Sequence, residues 1–248
     1  MMRNVMLFSM ALLTGFPAFV ISGQQAREED ARQILQHALK AAGGRFNALR
    51  GPMMWMERGA YYGEGAEGSP FIAQYASKWP DWFRCEIEGV FTLTVSGHKA
   101  WMINDAGTQK FAGDELANVM RQVRMAWASF LFPLTGKEYT LKKIDGIRIE
   151  GRAVVGIRAI HADGGDFRLY FDKASLLLVK MEANVIIPQF GPSPVLVEAY
   201  YSKHKSLGGA RLPFKIKLFC DKKLFVTTEI VASKTGATLD PAYFEEPE

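Results

Sequence analysis

The sequence is short of the residues that usually announce a chemistry. Only two cysteines and four histidines occur in 248 residues. The histidines, His37, His98, His161 and His204, are scattered along the chain, so no metal-ligand spacing is present. His161 with Asp163 and Asp166 comes closest to a cluster, and an Asp/Gly hairpin accounts for the same letters. No Gly-x-Ser-x-Gly elbow, His-Glu-x-x-His pair or EF-hand loop is found. Gly136-Lys137 runs into Glu138, not into the Ser or Thr of a phosphate-cradling loop. Glu86 and Glu88 share one strand face, as many solvated pairs do, and support no acid–base dyad. An enzyme would have no residue to stand on, and neither a metal nor a cofactor is expected.

Charge of one sign is also scarce. The balance of 30 Lys+Arg against 26 Asp+Glu gives a net charge of +4, too weak a bias for nucleic acid. Beyond residue 23 no apolar run reaches the roughly 18 residues of a membrane helix. Ahead of it, Arg3 precedes an uncharged apolar run, broken by Gly15 and Pro17 and followed by Ser22-Gly23. A cationic start, a short apolar stretch and a small-residue exit describe a cleavable signal peptide over residues 1–23. Residues 24–248 then read as one domain. No Cys follows the small residues, so no lipid anchor is predicted, and the protein is expected in the periplasm. Cys85 and Cys220 both fall on the apolar phase of their strands. In an oxidising compartment an even count permits one disulfide; two buried thiols that never meet fit equally well.

What is abundant is apolar. Hydrophobic residues make up 48% of the chain, with 17 Phe, 8 Tyr, 5 Trp and 11 Met. Ile34, Leu35, Ala38, Leu39 and Ala42 recur at helical spacing and predict a helix over 26–49, ended or bent by Gly43-Gly44. A second helix is predicted over 114–132, with Asp114 as N-cap and Pro133 as its stop. Short alternating runs fill the rest: 53–62, 71–78, 82–88, 90–95, 100–104, 139–144, 152–161, 167–172, 176–185, 195–204, 213–220 and 224–233. The pattern predicts a mainly β (α+β) chain of about eleven strands. They form one curved antiparallel sheet with both helices packed in its concave face.

Two groups of residues stand out as candidates. Trp55, Phe71, Phe91, Trp101, Met120, Trp127, Phe130 and Leu131 would point into the concavity. They read either as plain core or as the lining of a cavity for an apolar ligand. Lys203, Lys205, Lys215, Lys217, Lys222 and Lys223 crowd one late stretch. That stretch reads as a solvated outer face or as a patch for an anionic headgroup or partner.

Three segments, in order, resemble the periplasmic lipoprotein-carrier superfamily (LolA/LolB-like). The first runs Lys40-Ala-Ala-Gly-Gly-Arg-Phe-Asn-Ala-Leu49 into a strand ending Gly59-Ala-Tyr-Tyr-Gly63. The second is Phe167-Arg-Leu-Tyr-Phe-Asp-Lys-Ala-Ser-Leu-Leu-Leu-Val-Lys180. The third is Tyr200-Tyr-Ser-Lys203, then Gly209-Ala-Arg-Leu-Pro-Phe-Lys215, with the ending Leu239-Asp-Pro-Ala-Tyr-Phe244. The resemblance implies an incomplete β-barrel with helices over an apolar cavity. It implies a non-catalytic carrier of lipid or lipoprotein acyl chains, monomeric and in transient contact with membranes. Relatives also serve as envelope sensors, so a protein-interaction module without cargo is the alternative. The inward-facing Arg of the carriers has no counterpart that can be placed in this sequence.

Overall fold

The computed structural model describes residues 18–44, 46–63 and 67–247. Most of the predicted signal segment lies outside them. Among the described residues no helix is long and apolar enough to cross a membrane. The first helix, α1 (Ala18–Ala41), starts earlier than the periodicity predicts and stops sooner. Its end is set by glycine. Gly44 N–H donates to Leu39 O and Gly43 N–H to Lys40 O, each at 2.9 Å. These two bonds form a Schellman cap, with Gly43 at φ +100°. A side chain at Gly43 would place Cβ 2.5 Å from the Gly209 carbonyl oxygen. The remainder of the predicted helix becomes a separate short turn, α2 (Asn47–Arg50).

The strands form a single antiparallel sheet. The first meander is β1 (Met53–Tyr61), β2 (Ser69–Lys78), β3 (Trp82–Ile87), β4 (Phe91–Ser96), β5 (Lys99–Asn104) and β6 (Gly107–Lys110). Helix α3 (Gly113–Ala128) then carries the chain across to the opposite edge. The return meander is β7 (Tyr139–Ile144), β8 (Arg148–Ile149), β9 (Arg152–His161), β10 (Asp166–Asp172), β11 (Leu178–Val185), β12 (Val195–Leu207), β13 (Ala210–Cys220) and β14 (Lys223–Thr235). The spatial order is β6-β5-β4-β3-β2-β1-β14-β13-β12-β11-β10-β9-β7, with β8 paired antiparallel to the start of β9. So β1 and β14 meet at a central seam, and β6 and β7 remain as unpaired edges: the barrel is open. Among the described residues the total is fourteen strands. The two beyond the sequence pattern are β6, which is polar and exposed along its length, and the two-residue β8.

Helix α1 fills part of the concavity. Ala31, Leu35 and Ala38 face β7 and β9, and the two alanines let the helix approach closely. Helix α3 starts from Ala112, which makes no side-chain cap; Asp114 sits inside its first turn, where it favours the helix dipole instead of capping. The helix ends at Ala128, short of the predicted 132. Leu131 turns to φ +65° and Phe132–Thr135 form a 3-10 turn.

The two thiols are free and buried, so the disulfide that the even count permits does not form. Cys85 lies on β3 and Cys220 at the end of β13, with β2, β1 and β14 between them. Neighbouring strands are about 4.8 Å apart, so three intervening strands exceed the reach of an S–S bond. Burial pushes the Cys85 thiol up to about 12 and the Cys220 thiol up to about 11. Raised thiols of this kind are characteristic of buried structural cysteines.

The outer face has its own small clusters. Leu239 and Phe244 fold back over Ala76 and Met54, and Phe244 stacks on Trp82 at 4.7 Å. Further along, Lys180 on β11 is buried between two carboxylates, 2.7 Å from Glu182 and 2.5 Å from Glu198. The Tyr200 ring covers its ammonium at 5.0 Å. Burial alone would lower the Lys180 pKa, but its bonds to Glu182, Glu198 and Tyr200 hold it well above the ordinary lysine range.

Candidate functional site

Between α3 and the sheet the concavity is not filled. A cavity of about 350 Å³ lies there, walled by β1–β3, β12–β14 and the underside of α3. Its position follows from strand parity. Successive side chains on a strand alternate faces, so Met53, Trp55 and Glu57 of β1 all point inward. Gly59 comes next on that face, opposite Phe71 of β2. A methyl at Gly59 would lie 2.5 Å from Phe71 Cζ and 2.5 Å from the Thr227 carbonyl. The missing side chain is therefore what lets the Phe71 ring swing over β1. Across the seam, the small Ala199 of β12 leaves room between Val197 and Tyr201.

Helix α3 is tied down on both sides, which keeps the roof in place. Trp127 Nε1 donates to Ser77 Oγ of β2 at 3.1 Å. Asn118 bonds the Ile186 backbone twice, Nδ2 to its carbonyl at 2.8 Å and Oδ1 from its N–H at 3.0 Å. Arg124 reaches the β9–β10 turn at the carbonyls of Asp163 and Gly164. The helix presents Met125 and Ala126 to the cavity, followed by Phe130 beyond its end.

One charged side chain lines this apolar space among the described residues: Glu57. It sits at an irregularity of the seam, where Met56 faces Ala232 but Glu57 faces Ile230, so that Val231 bulges out to solvent. Glu57 is 6% exposed. Trp55 Nε1 donates to its Oε1 and Thr228 Oγ1 to its Oε2, both at 2.9 Å. Burial raises its pKa above the ordinary carboxyl value, and the two donors pull the other way. The hydroxyls of Tyr75 and Tyr201 feel it too: burial first, then the Glu57 charge, pushes both well up.

The sign of the resulting pH effect is fixed. Above the usual pKa of 4.5 the folded chain holds a proton on Glu57 that the unfolded chain has released. Stability therefore falls as pH rises from that value through the raised pKa. Glu57→Gln removes this slope. Its melting temperature relative to the parent is expected to climb as pH rises from about 4.5 and to level off once Glu57 is ionised in the folded chain as well. Thr228 Oγ1 keeps the Arg58 carbonyl as a second acceptor at 3.5 Å, which limits the cost of the acceptor lost in the variant. A pH-independent difference in thermal melts would contradict the assignment.

The structure divides the sequence candidates. Trp55, Phe71 and Phe130 line the cavity; Trp55 stacks on Tyr75 at 4.6 Å and meets Phe130 edge-on at 6.2 Å. Phe91, Met120 and Trp127 belong to the core around β3 and α3, and Leu131 to the core under α1. Trp101 is a correction: Ala100 takes the inward position on β5, so Trp101 is buried on the outer face beside Thr94. The lysines also separate. Lys215 and Lys217 line a shallow outer groove with Arg58 and Glu229. Lys203 pairs with Glu229 at 2.8 Å, Lys205 covers Phe214, and Lys222 and Lys223 sit at the β13–β14 turn. His161, Asp163 and Asp166 serve their hairpin: Asp163 N–H donates to His161 Nδ1 and Arg158 clasps Asp166. Sequence reasoning passed over Glu57, Tyr75, Tyr201 and Thr228. Glu57 carried a signal, an acid on the apolar phase of Met53-x-Trp55-x-Glu57.

No family model matches the sequence, and no curated protein matches it. Solved structures do. A LolA superfamily protein of Nitrosomonas europaea superposes with a TM-score of 0.59 at 12% identity, covering 87% of this chain and 97% of its own. A structure described as an outer membrane lipoprotein-sorting protein domain, from Vibrio parahaemolyticus, gives 0.56 at 10% identity, covering 88% and 97%. A DUF1329 family protein of Desulfovibrio piger gives 0.59 at 10% identity, covering 87% and 97%. At such identities the likeness is one of fold, and the open fourteen-stranded sheet with helices in its concavity is a LolA-like incomplete barrel.

Proposed function

We propose that this chain is an exported, non-catalytic carrier that seats an acyl-bearing hydrophobic ligand, a lipid or lipoprotein chain, beneath α3. The observation that carries the reading is the cavity itself. At about 350 Å³ it falls within the range of small-molecule sites. Its walls are almost wholly apolar, and Met53 and Met125 supply adaptable surface for a flexible guest. The shared fold supports the reading, since one structure of that fold is described as a lipoprotein-sorting domain. The signal-like residues 1–23 are part of the same proposal.

A second reading, an interaction module working through the outer groove, rests on Arg58, Lys215 and Lys217. Glu229 answers part of that charge, and Lys203, Lys205 and Lys215 hold its carboxyl below the ordinary range. The groove is thus less basic than the sequence suggests, and the cavity is the better-supported site.

The test is native mass spectrometry of the chain recovered from a bacterial envelope fraction, followed by lipid extraction. Acyl species at near one per chain are expected. Ala126 faces the cavity yet remains exposed on α3, so Ala126→Trp should block the entrance without disturbing the core. Uptake of N-phenyl-1-naphthylamine by this variant is expected to weaken about tenfold, with the melting temperature nearly unchanged. A clean apo mass together with no uptake by the parent chain would sink the carrier.

A further inference from the structure

The cavity is apolar but not featureless, and its one charge has the sign that most acyl cargo shares. Glu57 lies on the cavity wall with both oxygens engaged by neutral donors, Trp55 Nε1 and Thr228 Oγ1. No cation answers it: none of the ion pairs among the described residues includes Glu57, and no Lys or Arg lines the cavity. Arg58, its neighbour in sequence, points to the opposite face and lines the outer groove. Each carboxylate oxygen accepts one hydrogen bond and has a second lone pair to offer. The tyrosines Tyr75 and Tyr201 border the same space, and the neutral Gln122 and Ser129 on the α3 side are, with Thr228, its other polar side chains among the described residues.

We infer that Glu57 is the anchor for the polar end of the ligand, and that the cavity takes an apolar chain ending in an amine in preference to one ending in an anion. This rests on the carrier reading and deepens it. An ammonium placed against Glu57 replaces the missing counter-charge and forms a charge-assisted hydrogen bond inside an apolar wall. A carboxylate or phosphate placed there meets a like charge with no water to screen it. A neutral hydroxyl falls between, able to donate to Glu57 without a charge of its own. Selection against anions in this way needs no contact beyond the buried acid.

Matched twelve-carbon probes test the inference. Dodecylamine, dodecanol and dodecanoate are titrated against bound N-phenyl-1-naphthylamine at neutral pH. The amine is expected to displace the probe at about tenfold lower concentration than the carboxylate, with the alcohol between them. In Glu57→Gln the gap between amine and carboxylate should close while the alcohol is unaffected. Equal potency of amine and carboxylate on the parent chain, or a gap that survives Glu57→Gln, overturns the anchor and leaves the carrier standing. Failure of all three probes to bind overturns both. The ranking on the parent chain decides the point even if the variant folds poorly.

Discussion

Trp127→Ala is expected to lower the unfolding free energy by about 3–5 kcal/mol, the range for large aromatic truncations in a core. The indole is 5% exposed and packs edge-on against Phe83 at 6.1 Å. Its removal leaves a void between α3 and β3, and leaves the Ser77 hydroxyl, itself 2% exposed, without its donor. Trp127→Phe separates the two losses. It keeps most of the ring volume and gives up the hydrogen bond, worth about 1 kcal/mol. Urea unfolding of both variants measures the difference. Because Trp127 faces the core and not the cavity, Trp127→Phe should bind N-phenyl-1-naphthylamine as the parent does. Loss of probe binding at full stability would mean that Trp127 touches the ligand.

Lys180→Met should be the second large effect, at about 3 kcal/mol. Removing one partner from a buried charge cluster typically costs 3–5 kcal/mol. The lower end is expected because Glu182 and Glu198 retain 13% side-chain exposure each and some contact with water. The damage comes from the two carboxylates left facing one another on adjacent strands, paired directly in register. It should therefore be largely reversed when Glu182→Gln and Glu198→Gln are added to Lys180→Met. If the triple variant is as unstable as the single one, the cluster contributes by packing of the lysine stem under Tyr200 and not by charge.

The strands that were legible in the sequence are those with one wet and one dry face. Trp82–Ile87 alternates cleanly, and it ends within one residue of where the pattern predicts. Gly107–Lys110 was invisible because a polar edge strand has no dry face to betray it. The end of α3 was misplaced for a different reason. Phe130, Leu131 and Phe132 prolong the apolar stripe, although the backbone has already left the helix. Apolar spacing reports burial, and burial continues here through a 3-10 turn. Trp101 shows the limit of parity: Ala100 and Trp101 are both apolar, and only the register of β5 decides which one faces in. For the cavity, Glu57 could have been found as a misfit in its strand. Thr228 could not, since it is 171 residues away and reaches Glu57 only through the pairing of β1 with β14.

That seam also governs the order in which the molecule is able to fold. Met53 pairs with Thr235, so the first strand waits for the last before its second edge is satisfied. Until then β1 to β6 form a half-sheet with an open flank carrying Met53 and Trp55, a surface that invites pairing with another chain. The local hairpins on either side form early, and the loop closure that joins them comes late and slowly. A chain emerging through a membrane would therefore gain most from a chaperone in the interval between the appearance of β1 and the arrival of β14.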